Sequence, residues 1–580
     1  MKAQVFGTII ATVFLLYAFR FPSPWNIVWS VIAGYYLYRY INGIITERFD
    51  IKALKGTGSF TISYRDLPAD KLFIGKGFLW TPEHTVIVNK LMQDKKLLEE
   101  GEKLGGLSFI HGVGIKDEND IHVPLPELVG HVFVAGTTRV GKTRAYEILI
   151  AQAIKRGDTV IVIDPKGDKD LLNRVVESCR ASDREKDFSF FALPYPKFSA
   201  HYNPLRNFTL PNEVPDRIAM LLPSGGDSEP FKAFSWQVIS IITNAMLYLN
   251  IRPNLKNLST YSLAKTDELC KKCITESFRR HGMYDDKVKY LDEDTDSKVE
   301  DYLKLYYAMP EVHQSAVDDL IVLAKHPKEH FQKMIASLTP VLSQLAIGEV
   351  GTLLSEKSQN DQDIDWERAV KNKKVIYMLF GSLLMRNTAK AVIRMTIQDF
   401  TSFIGSRYCY MENRSPINLF IDEFSEVVDH SFINLLNKAG GAGVRTFLAS
   451  QSVADIESEL KAFAKAQQIF DNLNTKIWLR TTDMTTSKVF SDAAGTVSVK
   501  QESSGFSITP DVGESDTVFR SSYSTSSSEK TVPLIDPSWL LKLPKGQGFM
   551  ISSGRVFKVR VPLLQECNVD YYRERGIMGQ

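Results

Sequence analysis

The sequence predicts an α/β fold: a largely parallel sheet, interrupted by a long all-helical insertion and preceded by a pair of apolar spans. Three observations carry this expectation. Short apolar strands alternate with glycine turns and helices, as where His131–Ala135 leads through a glycine loop into Lys142–Lys155, the pattern of parallel βαβ units. Two strand-ending motifs suited to one sheet, at Lys142 and Asp422, stand 280 positions apart, far more than neighbouring strands need, so a domain must lie between them. The first 41 residues hold two long, almost uncharged runs.

The whole chain of 580 residues allows roughly three or four folding units at ~150 residues each. With 44% hydrophobic and 24% charged residues it has ample material for large cores, which excludes a disordered or collagen-like main body. Lys and Arg total 70 against 68 Asp and Glu, so no global basic field exists and any polyanion must be met by a local surface. Five cysteines, Cys179, Cys270, Cys273, Cys409 and Cys567, form no disulfide framework, which places the bulk of the chain in a reducing compartment.

The elements follow in chain order. Residues 3–19 carry no charge and as a helix would span ~26 Å. Trp25–Ile41 is interrupted only by Asn26 and Arg39, is rich in Trp and Tyr, and is separated from the first run by Pro22 and Pro24. Together 1–41 read as a two-helix transmembrane hairpin. Lys2 on one side and Arg39, Arg48, Lys52 and Lys55 on the other, against a lone Arg20 in the turn, put both ends in the cytoplasm. A signal peptide lacks its small-residue cleavage site here, and uncharged runs of this length are uncommon in soluble cores. Residues 42–128, a membrane-proximal part, alternate strand-like pieces at Gly56–Tyr64 and Gly75–Trp80 with turns, add a polar helical stretch at Asn89–Lys103, and hold no motif.

Residues 129–230 open a nucleotide-binding domain. The loop Gly136, Thr137, Thr138, Arg139, Val140, Gly141, Lys142, Thr143, with Arg144 following, fits GxxxxGK[ST] between a strand and a helix. Glycines let backbone N–H groups curl around phosphates, and the helix presents its positive end to them. Lys142 supplies a point charge for the outer phosphates of ATP, and Thr143 a hydroxyl for Mg²⁺. A second strand ends at Asp164, placing Asp164 and Lys166 at the sheet's carboxyl edge, where a plain strand-terminal turn explains them as well. Residues 231–346 are the inserted all-α domain, with runs such as Phe234–Asn250 and His313–His326. Cys270 and Cys273 there lack the second CxxC of a zinc site and read as core thiols.

Residues 347–562 resume the sheet. A strand at Ile417–Ile421 ends in Asp422-Glu423, of which Asp422 would hold Mg²⁺ and Glu423 act as general base toward a water attacking the γ-phosphate. A strand at Val444–Ala449 leads to Gln451, suited to contact the γ-phosphate and the water, and Lys476–Leu479 ends before Arg480. Residues 495–532 are Ser/Thr-rich, an exposed hairpin or a disordered loop. A terminal hairpin then completes the sheet, and 563–580 form a C-terminal tail.

This order of features resembles the TraD-type coupling proteins of conjugation systems, nearest the SXT/TOL-like group, within the FtsK/HerA-like P-loop ATPases. The resemblance rests on the apolar hairpin, Gly136–Arg144, Asp164–Asp168 (DPKGD), Tyr202–Pro204 (YNP), Leu419–Phe424 (LFIDEF) and Gln451, and covers most of the chain. It implies a RecA-like P-loop domain and a homohexameric ATPase of the bacterial inner membrane, two-pass, with both termini and the bulk cytoplasmic. It further implies transfer of a relaxase-bound single-stranded DNA to a type IV secretion channel. Two departures stand out: the turn between the spans is very short, and Gly440 occupies the place where some relatives carry an arginine reaching the neighbouring subunit. Arg445 and Arg480 are the substitutes for it. The rival expectations are a membrane-anchored receptor that uses ATP only as an assembly switch, and an FtsK-like double-stranded DNA pump, which would bring more spans and a separate DNA-reading module.

Overall fold

The computed structural model describes residues 58–577, apart from 224, 294–296, 356–362, 411–414 and 513–516, together with 34, 35 and 38. Its strands are β1 (Thr61–Ile62), β2 (Lys71–Leu79), β3 (Asn119–Pro124), β4 (Val132–Ala135), β5 (Thr159–Asp164), β6 (Phe188–Ala192), β7 (Val375–Leu379), β8 (Ile417–Ile421), β9 (Val444–Ser450), β10 (Thr475–Leu479), β11 (Thr496–Val512), β12 (Thr517–Pro533), β13 (Gln547–Ser552), β14 (Arg555–Arg560) and β15 (Leu563–Leu564). Eleven of them form one mixed sheet in the order β3-β2-β14-β13-β10-β4-β9-β8-β5-β7-β6. From β10 to β6 every pairing is parallel, so the carboxyl ends of β4, β5, β8 and β9 share one edge. From β13 outward the pairings are antiparallel.

The parallel strands read as unbroken apolar runs because both of their faces are covered. In β5, Val160 and Val162 join one buried layer while Ile161 and Ile163 join the other. The helices Lys142–Lys155 and Lys169–Ala181 cover the first face, and Arg386–Tyr410 with the insertion cover the second. Residues 42–128 supply β2 and β3 to this same sheet, paired with β14 through Leu79↔Phe557 and Lys76↔Arg560. At Gly77 a Cβ would lie 2.0 Å from the Lys558 carbonyl oxygen, so only glycine lets the two backbones approach.

Between β6 and β7 run the helices of the insertion, from Glu213–Ala219 to Trp366–Lys371. Cys270 and Cys273 are buried in its core, Cys273 Sγ lies 3.6 Å from the Ala245 carbonyl, and burial pushes both thiols up to about 12. The root of the insertion is tied down by Asp399 of helix Arg386–Tyr410. Asp399 accepts from Arg217 Nη1 at 2.9 Å, Tyr202 Oη at 2.8 Å and Trp366 Nε1 at 2.6 Å. The YNP phrase thus makes a buried junction: Tyr202 bonds Asp399, Asn203 Nδ2 donates to Pro253 O at 3.0 Å, and Pro204 O accepts from Arg217 at 2.8 Å.

The Ser/Thr-rich stretch is a hairpin in which β11 and β12 pair over seventeen residues each, from Thr496↔Pro533 to Val512↔Thr517. At ~3.4 Å per residue it extends for ~55 Å.

The two-pass inner-membrane location expected above is corrected. Among the described residues no helix is long and apolar enough to cross a membrane. The apolar hairpin itself lies outside the described residues, save for 34, 35 and 38.

One buried group opposes the fold. Lys558 of β14 is 0% exposed, its amine donates to Gln547 Oε1 at 3.2 Å over the Phe549 ring, and burial holds its pKa well below the usual lysine range. A depressed folded value favours folding above the unfolded pKa near ~10.4 and loses that contribution as pH falls. The penalty is therefore in place at neutral pH. Lys558→Met, which keeps the volume and removes the amine, is expected to raise the denaturant midpoint at pH 7 by the equivalent of about 1–3 kcal/mol. An unchanged midpoint would mean that the amine is solvated after all.

Candidate functional site

The site forms where β4 ends. Gly136 N–H donates to Ser450 O at 3.2 Å and Thr137 N–H to Arg480 O at 3.0 Å, stitching the loop entry to the ends of β9 and β10. The loop closes at Gly141, whose φ of 117° suits glycine, and there a Cβ would lie 3.3 Å from Gly546 Cα. Gly546 N–H in turn donates to Val140 O at 2.8 Å, so the turn before β13 backs the loop. Helix Lys142–Lys155 starts immediately, with its unpaired N–H groups and positive dipole end facing the same edge. The buried Tyr146 hydroxyl sits 2.8 Å from Ile421 O and 2.6 Å from Phe447 O, tying this helix to β8 and β9.

β9 lies between β4 and β8. That spacing brings the distant motifs together. Lys142 Nζ donates to Glu423 Oε1 at 2.8 Å and stands 3.6 Å from Asp422 Oδ1, while Gln451 Nε2 donates to the same Glu423 Oε1 at 2.7 Å. Lys142, Asp422 and Glu423 are 6%, 8% and 7% exposed, so these charges interact in a poorly solvated setting. Glu423 adopts φ 51° and ψ 60°, a left-handed conformation that a non-glycine residue holds only under constraint, of order 1–3 kcal/mol. Burial pushes the Asp422 carboxyl up to about 6, against the pull of Lys142. Burial acts on Glu423 in the same sense, but Lys142, Gln451 and Lys166 outweigh it and hold that carboxyl below the usual range.

Thr143 lies half-buried in the first turn of the helix, as does Arg144; Thr137 is half-buried, and Thr138 and Arg139 are exposed at the loop tip. Arg480 follows β10 at the site's edge, its guanidinium donating to Gly105 O at 2.9 Å. Arg445 does not join the site of its own subunit: it is the second residue of β9, at the opposite end of the sheet, 3.5 Å from Asp158 Oδ2. The strand between it and Gln451 keeps the two ~20 Å apart.

Asp164 and Lys166 lie at the carboxyl edge, as the sequence placed them, but their contacts there were not readable from it. Asp164 locks the DPKGD turn, accepting from the N–H groups of Lys166 at 3.1 Å, Gly167 at 2.7 Å and Asp168 at 2.6 Å, and from Tyr377 Oη at 2.6 Å. That turn delivers Lys166 Nζ to within 3.3 Å of Glu423 Oε1. The DPKGD phrase was the signal for both.

The donor set fits a magnesium nucleotide. A glycine cradle opens on a helix N-terminus, a hydroxyl lies in its first turn, and a buried carboxylate pair is within reach of the loop lysine.

Comparisons with known proteins bear on the family and the fold. Residues 120–277 match the family described as the type IV secretion-system coupling protein DNA-binding domain, and 416–545 the family described as the TraM recognition site of TraD and TraG. The chain carries two domains of the TraD/TrwB-type coupling proteins of conjugation. Among solved structures it is similar to the unbound bacterial conjugative coupling protein TrwB lacking its first 70 residues, at 16% identity and TM-score 0.51, covering 77% of this chain and 88% of that one. It is similar also to the plasmid coupling protein TrwB in complex with ADP and Mg²⁺, at 15% identity and TM-score 0.51, covering 89% and 99%. A third TrwB structure, with the non-hydrolysable GTP analogue GDPNP, has 15% identity and TM-score 0.50, covering 88% and 98%. At such identities the likeness shows the α/β fold. No curated protein sequence matches the chain.

Proposed function

We propose that this coupling protein is an ATPase that delivers a relaxase-bound single-stranded DNA to a type IV secretion channel, working as a homohexamer. One observation carries the reading: Lys142 and Gln451 converge at 2.8 and 2.7 Å on Glu423, beside Asp422, at the mouth of a phosphate loop. In this reading Lys142 exchanges Glu423 for the outer phosphates of ATP, and Thr143 and Asp422 hold Mg²⁺. The metal, when bound, supplies neutralisation of charge on the phosphoryl oxygens. Glu423 takes a proton from the attacking water, and Gln451 orients that water. In this reading Arg480, at the loop's edge, or Arg445 reaches the nucleotide of a neighbouring subunit. The TrwB complexes with ADP and Mg²⁺ and with GDPNP support nucleotide binding by a site of this fold, and the DNA-binding description of 120–277 supports the cargo.

A translocase accepts any sequence, so DNA contact rests on charge and shape. Single-stranded DNA of arbitrary sequence is expected to raise ATP turnover of the purified full-length chain several-fold at low salt, an effect that fades as salt rises. Turnover indifferent to DNA at low salt would replace the motor with a substrate receptor that uses nucleotide as an assembly switch.

A further inference from the structure

Lys166 stands at this site without belonging to the phosphate loop or the acid pair. Asp164 fixes its backbone as described, and Ser382 N–H donates to Pro165 O at 2.7 Å, so the turn is held from both sides. The side chain is 36% exposed, with a four-carbon stem that can swing. Along the carboxyl edge the order β4-β9-β8-β5 puts Lys142, Gln451, Glu423 and Lys166 in sequence, so Glu423 is flanked by a lysine on each side. A triphosphate seated on the loop places its inner phosphates over Gly141 and Lys142 and its terminal phosphoryl group toward Glu423, where the attacking water must lie. Lys142 is then engaged by phosphate, and among the described residues Lys166 still faces Glu423, on the side where the terminal phosphoryl group would lie. A diphosphate ends short of that place.

We propose that Lys166 is a specificity-determining residue that contacts the terminal phosphate from within the same subunit, so that the site distinguishes ATP from ADP. This rests on the reading of the site as a magnesium–nucleotide site. The test is calorimetric titration of the full chain, with Mg²⁺, using a non-hydrolysable ATP analogue and ADP in parallel. Lys166→Met is expected to weaken the analogue about tenfold while leaving ADP within about twofold, collapsing the ratio of the two affinities. Lys166→Arg should restore most of it, and Lys166→Gln repeats the removal should the Met variant fold poorly. Equal losses for both nucleotides, or no loss for either, would reduce Lys166 to an ion-pair partner of Glu423 and overturn the proposal. Failure of the unaltered chain to bind either nucleotide would instead overturn the reading of the site, and the proposal with it.

Discussion

Glu423→Gln is expected to lower steady-state ATP turnover by about 10²–10⁴-fold while nucleotide affinity stays level or tightens. The amide is nearly isosteric and its oxygen still accepts from Lys142 and Gln451, so the pocket keeps its shape. What it loses is the capacity to take a proton. The gain in affinity follows from the ground state: Lys142 Nζ is ion-paired to Glu423 at 2.8 Å, and ATP must compete for that lysine. An uncharged partner gives it up more readily. The same contact explains how a carboxyl held below the usual range serves as a base. Once Lys142 turns to phosphate, the largest of the influences lowering that carboxyl is withdrawn and its basicity rises. Phosphate-release kinetics and titration with a fluorescent nucleotide check both halves. Turnover at the unaltered rate would remove Glu423 as the base, and affinity lost together with turnover would make it a binding residue.

The motifs that carry this site were legible because each is dictated locally. A glycine at φ 117° before a helix and two acids after an apolar strand are written in a few adjacent residues. The separation of Arg445 from Gln451 was legible too: one opens β9 and the other follows its end, so the direction of the strand alone puts them at opposite edges of the sheet. The place of β2 and β3 in the main sheet was not legible, because β2, which carries β3 with it, pairs with β14 more than 400 residues later, and no local pattern encodes such a partner. Asp399 was equally silent. An aspartate in a long helix draws no notice until Tyr202, Arg217 and Trp366, from three separate segments, are found around it.

That cluster sets the largest expected loss of stability. Arg217→Ala should destabilise the chain at pH 8 by about 3–5 kcal/mol, the range for orphaning a buried charge. Arg217 is 2% exposed and Asp399 0%; the guanidinium reaches Asp399, Pro204 O and Asn207 O, and no solvent stands ready to replace it. Truncation leaves Asp399 held by Tyr202, Trp366 and Asn207 but uncompensated in charge. Burial already pushes the Asp399 carboxyl up to about 6 from the ordinary 3.8, even against Arg217. A raised folded value contributes stability that is full below the unfolded pKa and is lost as pH rises through the folded one. Without Arg217 the value rises further, so the variant's deficit should shrink at pH 5, where Asp399 takes a proton. Arg217→Leu combined with Asp399→Asn should cost less than Arg217→Ala alone, since no buried charge remains. Denaturant midpoints at the two pH values, followed by tryptophan fluorescence, decide it. A deficit that is small at pH 8, or one that grows on acidification, would show that the insertion is anchored by its apolar contacts and that the ion pair is incidental.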